Sequence, residues 1–421
     1  MEKITIEKLV FGGQGLGRKD GQVYFVWGAL PGEEVEVDII KAKKNFVEAI
    51  ARKIIVASKD RVENREEHYL DCSPWQIISE SGELQWKKEI AKETFLKFAS
   101  YELGNLEIVE SKSSYNYRNK VEYRFVGEVG NVQLAFFERG TDQLKAIAPC
   151  ILNKEEINQA AIKVLDVINK NNVDPEKLVS LIVRSNTQAQ VLATLLVSNR
   201  IKLNNINELD SLTGFAIYLA NDDNIENFVL LERIGADSLE EKIGEVTLRY
   251  GAFSFFQVNP AVFSAVVDDI GMNLGADSEI LDFYSGVGAI SLPLANKFKR
   301  GILIENNREA VNFAATNIEK NNIKNCETRL LSASAGRELI KKDKVVIFDP
   351  PRTGLDKSII DKLIEIKPCK IIYLSCDVVT QARDIKNLLS FYTIKSTKLY
   401  NFFPRTPHIE SLCVLDRNVN I

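Results

Sequence analysis

From about residue 245 onward the chain alternates short apolar runs with amphipathic stretches, and that alternation most restricts what it can fold into. The runs are Glu279-Ile-Leu-Asp-Phe, Arg300-Gly-Ile-Leu-Ile-Glu305, Lys344-Val-Val-Ile-Phe-Asp349 and Lys370-Ile-Ile-Tyr-Leu-Ser-Cys376. Helical spacing separates them, as over residues 309–321 and 358–366. Strands that take turns with helices predict an open, mostly parallel, doubly wound α/β sheet over residues 241–421. Ligands on such sheets bind beyond the carboxyl ends of the strands. All four runs end in or beside residues that carry chemistry.

After the first run comes Asp282-Phe-Tyr284-Ser-Gly286-Val-Gly288-Ala-Ile-Ser291. Gly286 and Gly288 would let a backbone approach a ligand without Cβ clashes. Ser291 stands where a dinucleotide fingerprint has its third glycine. Glu305 ends the next run, where a carboxylate can accept hydrogen bonds from ribose hydroxyls. These features alone fit a nicotinamide or an S-adenosylmethionine site equally, and an ordinary parallel-sheet turn produces much of the pattern. Asp349 is followed by Pro350 and Pro351, which cannot continue a ladder and fix a rigid turn.

The first 58 residues read differently. Period-two runs alternate with Gly-rich turns at Gly12-Gly-Gln-Gly-Leu-Gly17 and Leu30-Pro-Gly-Glu, which predicts a small OB-fold-like β-barrel. Tyr24 and Phe25 are expected as exposed aromatics for a nucleic-acid strand. The cluster Lys41-Ala-Lys-Lys44 is best read as a solvated loop. Residues 59–240 hold a polar connector, one long helix from Gly82 to Leu103, and β-rich runs of a central mixed α/β domain. That helix places Leu84, Ile90, Ala91, Phe95 and Phe98 near helical spacing, and its apolar face is expected to pack on the doubly wound domain.

Composition excludes some classes. The charge is −4, from 54 basic and 58 acidic side chains, which leaves room for a local basic face and a nucleic-acid partner. No apolar run approaches the roughly 18 residues of a transmembrane helix. The start, MEKITIEKLV, lacks the apolar core of a signal peptide, and six cysteines without paired spacing point to a reducing, cytoplasmic compartment. With two histidines, His68 and His408, a multi-histidine metal centre is excluded.

Taken in order, the motifs resemble those of the RNA 5-methyluridine methyltransferases, which modify uridines in 23S rRNA and tRNA. Residues 5–55 are similar to the family's TRAM barrel through Gly15-Leu-Gly-Arg, Val23-Tyr-Phe-Val and Ala29-Leu-Pro-Gly-Glu-Glu. The remainder carries Tyr117-Arg-Asn-Lys-Val-Glu, Phe136-Phe-Glu-Arg-Gly, Phe255-Phe-Gln-Val-Asn-Pro and Leu281-Asp-Phe-Tyr-Ser-Gly-Val-Gly. Asp349-Pro-Pro-Arg-Thr-Gly-Leu, Tyr373-Leu-Ser-Cys-Asp and Phe402-Phe-Pro-Arg-Thr-Pro-His-Ile-Glu410 complete the set.

The resemblance implies S-adenosylmethionine as methyl donor, Cys376 as nucleophile and Glu410 as proton acceptor. It further implies Gln257, Tyr284, Gly286, Gly288, Glu305 and Asp349 as cofactor residues. Asp349 is also a candidate for the uracil edge, and Arg352 for phosphate. The chemistry needs such groups, since uracil C5 becomes nucleophilic only after a thiolate adds at C6, and a base must then remove the C5 proton. A lone cysteine is more often a small buried hydrophobe, and a lone glutamate a surface carboxylate; the motif context favours the functional reading. The implied substrate is 23S rRNA ahead of tRNA, with the chain expected to act as a monomer.

The chain departs from the family in places. Many members hold a four-iron four-sulfur cluster on four cysteines, whereas here only Cys72 and Cys150 stand at matching places. His68 raises the candidates to three, so neither a cluster nor any other metal is expected. Asp377 stands where members often carry Asn. Cytosine C5 methylation is disfavoured because Cys376 lacks a Pro-Cys or Thr-Cys context. A catalytically silent RNA-binding or assembly factor is the alternative from another class.

Overall fold

In the computed structural model residues 2–220, 222 and 224–418 are described. The ends of the expected outer domains, residue 1 and residues 419–421, lie outside them.

The carboxy-terminal half is built on an eight-stranded sheet. In spatial order its strands are Cys326–Leu330, Arg300–Glu305, Glu279–Phe283, Val345–Phe348, Lys370–Ser375, Glu410–Arg417, Tyr392–Tyr400 and Glu107–Val109. The first five are parallel, Glu410–Arg417 is antiparallel to both of its neighbours, and Glu107–Val109 joins the far edge in parallel. The chain runs outward from Glu279–Phe283 in one direction and then returns to run outward in the other. The topological switch therefore lies between Glu279–Phe283 and Val345–Phe348, where doubly wound sheets open a ligand crevice.

Strand alternation assigns side chains to the two faces. Leu281, Phe283, Val346, Phe348, Ile371 and Tyr373 join one apolar layer, and Ile280, Val345, Ile347, Ile372 and Leu374 join the other. Burial on both faces explains why these runs are continuously apolar rather than alternating. Each such side chain contributes about 1.5–3 kcal/mol of transfer free energy.

The helix Glu80–Ala99 begins where Ser79 Oγ accepts from Gly82 N and stops at Ser100, which turns left-handed. Its Ile90, Ala91 and Phe95 pack with Val378, Ala382 and Ile385 against the eight-stranded sheet. With Glu107–Val109, this segment belongs to that layer although it precedes the central sheet in the chain.

Residues 2–56 form a closed five-stranded barrel. Tyr24 departs from expectation. It is buried with Val26 in the barrel core, and its hydroxyl donates to Glu2 Oε2 at 2.6 Å. Alternation along Gln22–Trp27 turns Tyr24 inward and leaves Phe25 as the half-exposed ring, edge-on to Phe46. The Lys41–Lys44 segment is exposed. The central unit is a seven-stranded mixed sheet with the helix Glu155–Lys170 packed on it.

Candidate active site

The parallel register sets the site. Phe283 pairs with Phe348, and Phe348 with Tyr373, so neighbouring strands end at one level. Ser375 pairs with Ser411, which makes Cys376 and Glu410 the next residues outward on adjacent antiparallel strands. Glu410 is buried and Cys376 half-buried. Asp377 then caps the helix Val378–Leu388, accepting from Val379 N and Thr380 N at 2.9 Å each. Asn and Asp cap about equally well, so that substitution is accommodated locally.

At the glycine loop Tyr284, Gly286 and Gly288 have φ of 61°, 53° and 86°. Glu305 organises this turn. Its Oε2 accepts from Gly286 N at 2.9 Å, and Oε1 accepts from Asn306 N and Asn307 N at 2.8 Å each. A carboxylate has about four acceptor positions, so one remains for a ligand hydroxyl. A Cβ on Gly286 would meet only Phe255 O, at 3.9 Å, which leaves open space for a ligand's close approach. On Gly288 it would collide with Leu292 at 2.6 Å, so this glycine is required by packing. Across the switch point Gln257 Nε2 donates to Asp349 Oδ2 at 3.3 Å. The loop, the Glu305 acceptor and the polar Gln257–Asp349 pair fit an adenosyl cofactor.

Burial dominates the electrostatics. The Asp349 carboxyl is pushed up to about 7 by desolvation and by Asp282, itself raised to about 7 in the core, where Ser291 Oγ donates to it at 2.6 Å. Desolvation, with Asp349 next, holds Glu410 well above the usual carboxylate range. The Cys376 thiol is pushed up to about 12, mainly by burial and then by Glu410 and Asp349, against the opposing pull of Arg352. Arg352 is exposed and forms no ion pair among the described residues. His408 is driven down to about 3 by burial and by the cations Arg352 and Arg118, so it stays neutral.

Cys376, Arg352 and His408 open onto a cavity of about 190 Å³. Its other walls come from distant parts of the chain: Phe11 and Gly12 of the barrel, Cys72 and Pro74 of the connector, and Arg139 of the central sheet. Arg139 hydrogen-bonds Leu70 O and Asp71 and stacks on Trp27, 4.4 Å from the ring centroid. Arg139 lies in the Phe136-Phe-Glu-Arg-Gly motif, which by itself gave it no role, and no motif announced Phe11.

A second group was also invisible in sequence. Lys87, fully buried, donates to Glu83 Oε1 at 2.9 Å, Asn401 Oδ1 at 2.6 Å and Phe403 O at 3.1 Å. Glu83 Oε2 in turn accepts from Arg405 N at 3.0 Å. This network fixes the 401–409 segment that leads into Glu410.

Cys72 and Cys150, distant in sequence, meet with their sulfurs 3.6 Å apart, beside His68 and Glu66. A four-iron four-sulfur cluster does not fit, because two thiols cannot supply four thiolate ligands.

The crevice, glycine loop and acceptor are those of a nucleotide-cofactor α/β enzyme with a barrel at its amino end, and the family match below makes the class an S-adenosylmethionine-dependent methyltransferase. The family described as tRNA (Uracil-5-)-methyltransferase matches residues 79–418, and the TRAM domain matches residues 2–51. An uncharacterized RNA methyltransferase of Fusobacterium nucleatum is 30% identical over 99% of this chain and 96% of its own length. One of Clostridium tetani is 31% identical, covering 96% of this chain and 93% of that one. The crystal structure of the Pyrococcus abyssi tRNA (uracil-54, C5)-methyltransferase with S-adenosyl-L-homocysteine superposes with a TM-score of 0.78 at 22% identity, covering 98% of this chain and all of that one. The chain belongs to the tRNA (uracil-5-)-methyltransferase family and is an RNA methyltransferase. No helix among the described residues is long and apolar enough to cross a membrane.

Proposed function

We propose that the chain methylates C5 of a uridine in 23S rRNA, with Cys376 as nucleophile and Glu410 as the base. The observation that carries this reading is the juxtaposition of Cys376, which lines the cavity, with buried Glu410 on the adjacent strand. Cys376 Sγ adds to uracil C6, and the electron pair of the C5–C6 bond moves to make C5 an enolate carbon. When bound, S-adenosylmethionine supplies the electrophilic methyl group that C5 takes. Glu410 must first release to solvent the proton that burial holds on its carboxyl. It then removes the C5 proton, the C5–C6 double bond re-forms, and the thiolate leaves.

The thiol is protonated in the free protein, so substrate and cofactor docking must lower its pKa. A cation brought beside Asp349 and Cys376 would act in that direction, as Arg352 already does. In this reading Gln257, Tyr284, Gly286, Gly288, Glu305 and Asp349 hold the cofactor, Asp349 also meets the uracil edge, and Arg352 meets phosphate. Burial of the target base requires it to be flipped out of the RNA stack. We assign residues 1–58 and 59–240 to gripping flanking RNA and 241–421 to catalysis, in a cytoplasmic monomer.

The test is incubation with tritiated S-adenosylmethionine and unmodified 23S rRNA or tRNA transcripts, followed by digestion to nucleosides. Label in 5-methyluridine from 23S rRNA is expected. Label from tRNA alone would transfer the activity to tRNA. Label in neither, with cofactor bound, would leave an RNA-binding factor.

A further inference from the structure

We propose that Glu66, His68, Cys72 and Cys150 hold one zinc-class divalent cation in tetrahedral coordination, a mononuclear structural site behind the wall of the substrate cavity. One donor atom from each residue lies within 4.8 Å of all the others. The family resemblance draws attention to Cys72 and Cys150, with His68 as a third candidate, and the fold supplies the fourth donor, Glu66.

The distances match a single ion. Two thiolates each about 2.3 Å from a tetrahedral centre lie about 3.8 Å apart; the two sulfurs are 3.6 Å apart. An imidazole nitrogen and a carboxylate oxygen at about 2.1 Å lie about 3.4 Å apart; His68 Nε2 and Glu66 Oε1 are 3.5 Å apart. The other Glu66 oxygen is 4.0 Å from each sulfur.

An independent observation points the same way. His68 is 6% exposed, and its Nε2 has no hydrogen-bond partner although it faces this group. A buried imidazole nitrogen without a partner is costly unless something else binds it. The surrounding shell is built to hold the ligands. Ile151 N donates to Glu66 Oε1 at 2.6 Å and Gln76 Nε2 to Oε2 at 2.8 Å, which leaves lone pairs on both oxygens. Arg118 interacts electrostatically with both cysteines and balances the net negative charge that two thiolates and a carboxylate keep around a divalent ion.

Donor type selects the metal: thiolate and imidazole with one carboxylate favour zinc over magnesium or calcium. Binding requires both sulfurs as thiolates and a neutral imidazole, so it releases protons to solvent. All four positions are filled by protein, so the site is structural rather than catalytic. Its place explains its use. Cys72 lines the cavity beside Arg139, and Arg139 is anchored on Leu70 and Asp71 just before Cys72. An ion here would tie the connector to the loop at Cys150 and fix that wall.

The full chain, purified with a reducing agent and dialysed against zinc-free buffer, is expected to carry about one zinc per chain by elemental analysis. Cobalt(II) added to the chelator-stripped chain is expected to give thiolate-to-cobalt charge-transfer absorption that zinc then abolishes. Cys72→Ser and Cys150→Ser should lose the metal, and Cys326→Ser should keep it. Should the cysteine variants fail to fold, Gln76→Leu is expected to weaken zinc affinity by about 10- to 100-fold. Less than about a tenth of an equivalent of zinc with no cobalt absorption, zinc retained by folded Cys72→Ser, or a Cys72–Cys150 disulfide in the reduced preparation would each overturn the site.

Discussion

Cys376 and Glu410 stand side by side because the antiparallel pair Ser375–Ser411 ends one residue short of both. Burial and then Glu410 keep the Cys376 thiol protonated, while burial and then Asp349 hold the Glu410 carboxyl above its usual range.

That relationship separates the two roles experimentally. Cys376→Ala should abolish methyl transfer while leaving S-adenosylmethionine binding intact. Glu410→Gln should lower kcat by about 10²- to 10⁴-fold, the range for loss of a general base. It should also accumulate a denaturant-stable protein–RNA adduct, since the thiolate cannot leave until the C5 proton does. Gel electrophoresis after denaturation checks this; absence of an adduct in Glu410→Gln, with activity lost, would reassign the base.

Glu305 gives a second prediction. Glu305→Gln keeps an acceptor oxygen for the loop amides but loses the charge and half of the acceptor capacity. Hydrogen bonds to charged groups contribute about 1.5–3 kcal/mol, so the cofactor Kd should rise about 10- to 150-fold by calorimetry. Gly286→Ala should also weaken cofactor binding, at a stability cost of about 1–2 kcal/mol for its left-handed backbone.

Stability should fall as pH rises from about 5 to 7. Asp282 and Asp349, both near 7, and Glu410, raised further, hold protons in the folded chain that the unfolded chain has released. Glu309 and Asp384, also raised by burial, add in the same direction. His408, lowered to about 3, opposes them below its ordinary value of about 6.5. Thermal midpoints of the ligand-free protein measure the net slope, and Asp349→Asn should flatten it. A midpoint that climbs over this range would contradict the assignment.

Lys87→Met tests the buried network. Removing one partner of a buried ion pair costs about 3–5 kcal/mol because the other charge is stranded. The double variant Lys87→Met with Glu83→Leu should be less destabilised than the sum of its parts, and urea unfolding gives the comparison.

Much of this was legible beforehand, and the reasons differ from place to place. Four apolar runs bounded by Gly, Asp-Pro-Pro and Ser-Cys could be placed as parallel strands because burial on both faces demands continuous apolar sequence. Tyr24 could not be assigned to a barrel face, because a one-residue change in register inverts every side chain and local sequence does not fix it.

By itself the sequence determined the sheet, the barrel, the glycine turn and the residues at the strand ends, since periodicity and backbone-restricting residues act over a few positions. Only the tertiary structure decided which of those ends meet. The antiparallel return of Glu410–Arg417 brought Glu410 to Cys376. The fold of the connector against the Cys150 loop gathered Glu66, His68, Cys72 and Cys150, and the helix Glu80–Ala99 delivered Lys87 to Asn401. Contacts between residues far apart in sequence depend on how whole layers pack, and no local pattern encodes that distance.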